Sequence, residues 1–166
     1  MSARDALLAE FDHEMAMTRH LLERVPDGRL DWRPHDKSYA LGGLATHLAQ
    51  LPHWGTAILQ HDFHDLADAG PPRAARASTR EVLELFDRHV TEVRRALLDT
   101  SDAQLMAPWS LKKGEHLILS IPRLSALRRF LLHHVIHHRG QLTVYLRLVD
   151  VPVPSMYGPT ADEPGF

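Results

Sequence analysis

Histidine is the residue type through which this sequence could do chemistry. It occurs thirteen times in 166 residues, and the string LLHHVIHHRGQL places His134 and His138 four positions apart. Side chains with that spacing on a helix lie on one face about one turn apart, so two imidazoles could reach the same ion. The neighbours His133 and His137 have the same spacing. Both pairs indicate coordination of a divalent metal ion.

The apolar residues of the same segment decide between the two pairs. The leucine stripe of this helix runs through His134 and His138, so these two lie on its buried face. His133 and His137 sit about 100° away around the helix axis, and we interpret them as flanking residues that orient ligands or face solvent. Two buried imidazoles without partners would each cost roughly 1 to 3 kcal/mol, a cost that a shared ion removes.

His47 is the third candidate ligand. It lies on the apolar stripe of a second predicted helix, where the alternative for a single histidine is a core residue bonded to a backbone carbonyl. Three histidines leave positions open for water or substrate, as in catalytic rather than structural sites. An ion held in this way could lower the pKa of water or bind a thiolate. Imidazole ligands suit zinc, nickel, iron and copper alike.

The elements that must position these residues are four predicted helices. Apolar residues at alternating spacings of three and four predict helices at about 3–25, from 41 through 58, at 78–100 and at 120–149. Pro52 predicts a kink or local break in the second helix. Ser120 as the N-cap, with Pro122 in the first turn, opens the fourth. Gly140 in the interior of the fourth helix predicts close approach of another helix.

The segments between the helices complete a predicted all-α fold. Residues 62–77 are expected to form a loop that is neither strand nor helix, and 107–121 a small hairpin around Lys113 and Gly114. The prediction is a four-helix bundle over residues 1–150 with a short extended excursion between helices 3 and 4. The proline-rich tail, 151–166, is predicted to lie irregularly across the bundle.

Composition excludes several functions. A formal net charge of −2 gives no field to attract nucleic acid or an anionic membrane. The absence of cysteine excludes disulfides, thiolate metal sites and a cysteine nucleophile. No apolar run has the length of a signal-peptide core or a membrane span, so a cytoplasmic protein is expected.

Three strings resemble a known family. HHVIHHRGQLTVYLRL, LGGLATHLAQLPHW and WRPHDKS are similar to the DinB-like superfamily, named for damage-inducible proteins of bacteria, and the resemblance covers nearly the whole chain. The resemblance implies a bundle of up-down-down-up topology, a metal site formed by His47, His134 and His138, and frequently a homodimer. The superfamily includes mycothiol-dependent maleylpyruvate isomerase and bacillithiol S-transferases, in which the metal activates a low-molecular-weight thiol.

Three hypotheses of function follow. The first is a metal-dependent thiol S-transferase, whose partners are a low-molecular-weight thiol and a small electrophilic substrate. The second is a hydrolase that uses activated water and needs a general base, which the sequence does not identify. The third is a non-catalytic metal-binding stress protein or dimeric scaffold.

Gln141 could face the site or the next helix, and His53 with Trp54 could line a pocket mouth. The other histidines are interpreted as surface or packing residues: His13, His20, His35, His61, His64, His89 and His116.

Overall fold

Helices make up most of the structure. The computed structural model describes residues 2–68, 70 and 74–165, so positions 1, 69, 71–73 and 166 of the predicted bundle, loop and tail lie outside the described residues. The α-helices of the described residues are α1 (Ala3–Leu22), α2 (Leu41–Gln50), α3 (His53–Gln60), α4 (Thr79–Leu98), α5 (Asp102–Met106), α6 (Arg123–Leu127) and α7 (His133–Leu148). A π-helical turn, Arg128–Leu132, joins α6 to α7.

The bundle forms around the apolar stripes of the long helices. Helix α1 packs against α4 and α7, and α2 packs against the same two helices. Phe11 of α1 and Phe86 of α4 are each 1% exposed, and burial of such side chains contributes about 1.5 to 3 kcal/mol each. The four predicted helices correspond to α1, to α2 with α3, to α4, and to α6 with α7. The up-down-down-up order of directions stays a prediction.

The predicted break at Pro52 is present between α2 and α3. Proline has no N–H to donate to the preceding turn, and the chain tightens there: the Gly55 N–H donates to the Pro52 carbonyl at 2.8 Å. Gly55 also permits a close approach of neighbouring elements. A Cβ at this position would lie 2.7 Å from Val93 Cγ1 and 3.0 Å from Leu131 Cδ2.

The fourth helix begins later than predicted. Ser120 is a strand residue that pairs with Ser110, and helix α6 starts at Arg123, with Pro122 as its N-cap. The prediction of Ser120 as N-cap is therefore wrong. The alternating residues before Pro122 continue as a strand because the first strand of the predicted hairpin pairs with them as far as Pro122, so Ser120 belongs to the hairpin and not to the helix.

A small sheet corrects the all-α prediction. Strand β2 (Pro108–Lys113) pairs antiparallel with β3 (His116–Pro122), and this is the hairpin expected around Lys113 and Gly114. Strand β1 (Phe63–Asp65) pairs in parallel with β2 and gives the order β1-β2-β3. It lies in the segment expected to be neither strand nor helix, and a 3₁₀ helix, Leu66–Asp68, follows it, so that expectation is wrong for residues 63–68.

The chain after α7 has no helix or strand over residues 151–165. Val153 is 6% exposed, Arg147 pairs with Asp162, and Arg24, just after α1, pairs with Glu163 at 2.8 Å. These contacts hold the segment against the bundle. Among the helices of the described residues, none is both long and apolar enough to cross a membrane.

Candidate metal centre

Three predicted ligands come together between two helices. His47 lies on α2, whereas His134 and His138 lie in the first turns of α7. One ligand atom of each lies within 4.8 Å of the others, and His47 Nε2 is 3.1 Å from His138 Nε2. His133 and His137 are exposed beside them, on the predicted flank. We call His47, His134 and His138 the three-histidine cluster.

The π-helical turn sets the start of α7 and therefore the direction of the histidines. The His133 N–H donates to the Arg128 carbonyl, five residues back instead of four. Such a turn adds a residue to the helix and rotates the face that follows it. The His134 ring donates to the backbone of Phe130, inside the same turn. The π-helical turn therefore also orients the His134 ring.

Gln141 fixes the tautomer of His138. His138 Nδ1 lies 2.7 Å from Gln141 Oε1, and because a carbonyl oxygen only accepts, Nδ1 carries the hydrogen. The Nε2 lone pair of neutral His138 then points toward His47. Gln141 Nε2 lies 3.2 Å from His137 Nε2 and donates to it. The sequence left two orientations for Gln141, toward the site or toward the next helix. In the structure Gln141 faces the site.

Burial keeps the cluster uncharged. It is the largest cause that lowers the pKa of each of the three imidazoles, and it lowers that of His47 to about 4, with further contributions from His138 and His134. All three are therefore neutral near pH 7, the form in which imidazole binds metal. Two nitrogens at 2.0–2.1 Å from a tetrahedral zinc ion would be about 3.3 Å apart, close to the 3.1 Å between His47 and His138. The residues present fit a divalent ion.

Tyr39 is a neighbour of the cluster that the sequence analysis missed. Its ring stacks on His47, with centroids 5.7 Å apart and an interplanar angle of 16°. The Tyr145 hydroxyl donates to the Tyr39 carbonyl at 3.2 Å and ties this residue to α7. The ring therefore covers one face of His47. Sequence offers only an aromatic residue just before α2 as a signal.

A cleft of about 190 Å³ adjoins the cluster. Its lining consists of His47, Gln50, Leu51, His53, Trp54 and His89. His53 and Trp54 were expected at a pocket mouth, and they line this cleft. His89 was interpreted only as a surface or packing residue, and it proves to be 5% exposed, with Nδ1 3.2 Å from the Ala49 carbonyl.

The expectation for Gly140 is wrong. A Cβ at this position would meet no described atom within 4 Å outside its own helix turn, so no helix approaches closely there. The residue after His138 instead packs strongly: Arg139 is 2% exposed and pairs with Glu14 of α1 at 2.6 Å. The contact of α7 with α1 thus depends on the buried ion pair between Arg139 and Glu14 and not on a small residue.

Fold and site together define a class: a mainly helical protein in which two helices of a bundle gather three histidines suited to a metal ion. The chain belongs to the DinB family, whose family model matches residues 1–164. This confirms the resemblance seen in the sequence.

Relatives and solved structures agree with this membership. The chain is 25% identical over 160 residues to the uncharacterized protein YrdA of Bacillus subtilis strain 168, a match that covers 96% of this chain and 90% of YrdA. The fold is similar to a crystal structure of a DinB-like protein from Bacillus cereus ATCC 10987, with a TM-score of 0.72, 21% identity and coverage of 92% and 97%. It is also similar to the DinB-like protein YjoA of Bacillus subtilis, with a TM-score of 0.68, 16% identity and coverage of 95% and 98%.

Proposed function

We propose that His47, His134 and His138 bind a divalent metal ion, zinc, nickel or iron, and that the protein is a metal-dependent thiol S-transferase. The observation that carries the metal site is the set of three imidazole nitrogens within 4.8 Å of one another. Their lowered pKa values support it, because neutral imidazoles need lose no proton to solvent before they bind.

The chain's own residues hold the cluster in a form ready for ligation. Gln141 keeps the hydrogen of His138 on Nδ1, the Phe130 backbone orients His134, and the Tyr39 ring supports His47. Such outer partners typically contribute about 10- to 100-fold to metal affinity. When bound, the ion would supply a Lewis acid that lowers the pKa of a thiol.

The number of protein ligands supports a catalytic role. Within the part of the chain that the structure describes, the group of possible ligands has three members. Catalytic sites commonly use three protein ligands and keep a position for an exogenous one. In the proposed transfer the thiol sulfur forms a bond to an electrophilic carbon, the leaving group departs with its electron pair, and the thiol proton passes to solvent.

Metal content tests the site directly. The chelator-treated protein is titrated with zinc in competition with a colorimetric chelator, and one ion per chain is expected. Alanine at His47, His134 or His138 should weaken binding by more than about 100-fold, since even outer partners contribute about 10- to 100-fold. His133→Ala is the matched control, because this exposed neighbour in α7 should leave affinity unchanged. Unchanged affinity in all three cluster variants would show the assignment to be wrong.

Turnover tests the reaction. Zinc-, nickel- or iron-loaded protein is incubated with bacillithiol, mycothiol or glutathione and a model electrophile, and thioether product is measured. Metal-dependent product with one of these thiols is expected. Turnover of an ester or amide panel without thiol would favour the hydrolase alternative, and absence of both would favour the non-catalytic one. The homodimer and the cytoplasmic location stay predictions.

A further inference from the structure

A second pair of histidines lies on the outer face of α7. His133 and His137 are four residues apart, and both are exposed. Side chains with this spacing on a helix are neighbours, with roughly 5 to 6 Å between their Cβ atoms. His134 and His138 have the same spacing on the same helix, and their ring centroids lie 4.8 Å apart. Two imidazoles of α7 at this spacing can therefore converge on one ion. We call His133 and His137 the outer pair.

His137 presents a lone pair on Nε2. Gln141 Nε2, which can only donate, lies 3.2 Å from this nitrogen, so His137 Nε2 accepts and carries no hydrogen. Imidazole binds metal ions through such a hydrogen-free nitrogen. Because both rings of the outer pair are exposed, they are free to rotate until one nitrogen of each reaches an ion at about 2.0–2.1 Å. An ion bound there would replace one exposed hydrogen bond, the one from Gln141.

The outer pair adjoins the three-histidine cluster. The ring centroids of His137 and His138 are 4.9 Å apart. His138 is 9% exposed, so a hydrated ion can reach its nitrogen only after it has lost water. An ion on the outer pair has already exchanged two water molecules for imidazole nitrogens, and it lies one ring away from the cluster. The outer pair is thus placed on a path from solvent to the cluster.

We propose that His133 and His137 form a second site for a divalent metal ion, which captures the ion from solution and passes it to the three-histidine cluster. Each step of the transfer exchanges one ligand of the ion, water or imidazole, for another, and the charge of the ion does not change. The capture step rests on the proposed function, because it needs the cluster as its destination. The outer site itself does not.

Equilibrium and rate respond differently to the outer pair. Because it offers two ligands instead of three, it should fill after the cluster. A site on the path speeds the entry and the exit of the ion alike. Its removal should therefore slow both processes and leave the affinity of the cluster unchanged, as expected for His133→Ala.

NMR of protein with ¹⁵N-labelled histidine tests the outer site during titration with zinc. The first equivalent should shift the signals of the three-histidine cluster, and further zinc should shift the signals of His133 and His137 together. His133→Ala should weaken the response of His137 at least about tenfold, equal to about 1.4 kcal/mol. His13 and His20 are the internal control, because both are exposed on α1 but lie seven residues apart, about 10 Å along the helix axis. Their signals should respond only at higher zinc concentrations.

Stopped-flow loading of metal-free protein with zinc tests the capture step. The double variant His133→Ala/His137→Ala should load about tenfold more slowly than the wild type, and release zinc to a chelator about tenfold more slowly, which corresponds to a barrier higher by about 1.4 kcal/mol. The matched control His13→Ala/His20→Ala also removes two exposed histidines, but from α1. It should load and release zinc at the wild-type rates.

Two results would overturn the proposal. Signals of His133 and His137 that respond to zinc no earlier than those of His13 and His20 would contradict the outer site. Equal loading rates in the wild type and in the outer-pair variant would contradict capture. The same titration separates these results from the proposed function: a first zinc equivalent that shifts only His133 and His137 would support the outer site and contradict the cluster, and with it the capture step.

Discussion

Gln141→Leu should weaken metal binding although Gln141 is not a proposed ligand. The substitution removes the acceptor that lies 2.7 Å from His138 Nδ1. His138 could then move its hydrogen to Nε2, the nitrogen that faces His47, and its ring would lose a restraint on rotation. Outer partners of metal-binding histidines contribute about 10- to 100-fold to affinity. We therefore expect a loss of about 1.4 to 2.7 kcal/mol in the free energy of zinc binding.

Gln141→Glu keeps a hydrogen-bond acceptor for His138 in a side chain of almost the same size. It therefore tests whether the hydrogen bond or only the bulk of Gln141 matters. A glutamate carboxylate can still accept from His138 Nδ1–H, and a charged acceptor forms the stronger hydrogen bond. It cannot donate to His137, as Gln141 Nε2 does at 3.2 Å. Affinity for zinc should therefore stay at the wild-type value or rise. The expected order is leucine well below glutamine, with glutamate equal to or above glutamine.

Zinc titration in competition with a chelator measures all of these variants. His137→Ala is the control, because it removes the outer contact of Gln141 and leaves the bond to His138 in place. It should change affinity by less than about threefold, since a single exposed hydrogen bond contributes about 0.5 kcal/mol at the low end of its range. Equal affinity for the leucine, glutamine and glutamate proteins would refute the role assigned to Gln141.

Three further substitutions test the packing that supports the site, each by the free energy of unfolding in urea. Gly55→Ala should lower it by about 1 to 3 kcal/mol, because the new Cβ would overlap Val93 at 2.7 Å; an unchanged value would contradict the close approach. Gly140→Ala should raise it by up to about 1 kcal/mol, because a Cβ there meets nothing and alanine favours the helix; a loss would show hidden packing. Tyr157→Phe should lower it by about 1 kcal/mol, because the hydroxyl donates to the Glu14 carboxylate at 2.7 Å; no change would mean that water replaces this bond.

The candidate site could be found from sequence because its signals are local. His134 and His138 are one turn apart on an apolar stripe, and His47 lies on another, so spacing together with stripe membership made these three the candidate ligands. The structure brings their nitrogens together as that selection requires. His89 also carried a local signal, since it follows Phe86 by three residues and precedes Val93 by four on α4. The orientation of His89 depends on its hydrogen bond to the Ala49 carbonyl. This carbonyl is 40 residues away along the chain, so no local pattern reveals the bond.

The errors concern features that depend on a partner in another helix or strand. Strand β1 has three residues and exists because β2 lies beside it. Ser120 satisfies the local rule for an N-cap, yet pairing with Ser110 keeps it extended until Pro122. Gly55 and Gly140 both lie in helix interiors. Their roles differ because Gly55 of α3 packs closely against α4 and the π-helical turn, whereas nothing among the described residues packs against Gly140. Periodicity therefore predicts which face is buried, and the structure is needed to show what buries it.

Arg139, the residue after His138, helps to fix the direction in which His138 points. Successive residues of a helix point about 100° apart, so His138 faces α2 while Arg139 faces α1. Arg139 pairs with Glu14 at 2.6 Å and donates to Thr18 Oγ1 at 3.2 Å, and its contact with the Tyr157 hydroxyl brings in the C-terminal segment. Breaking a buried ion pair costs about 3 to 5 kcal/mol. A rotation of α7 that moved His138 away from His47 would break this pair, so contacts on the far side of the helix fix the direction of the ring.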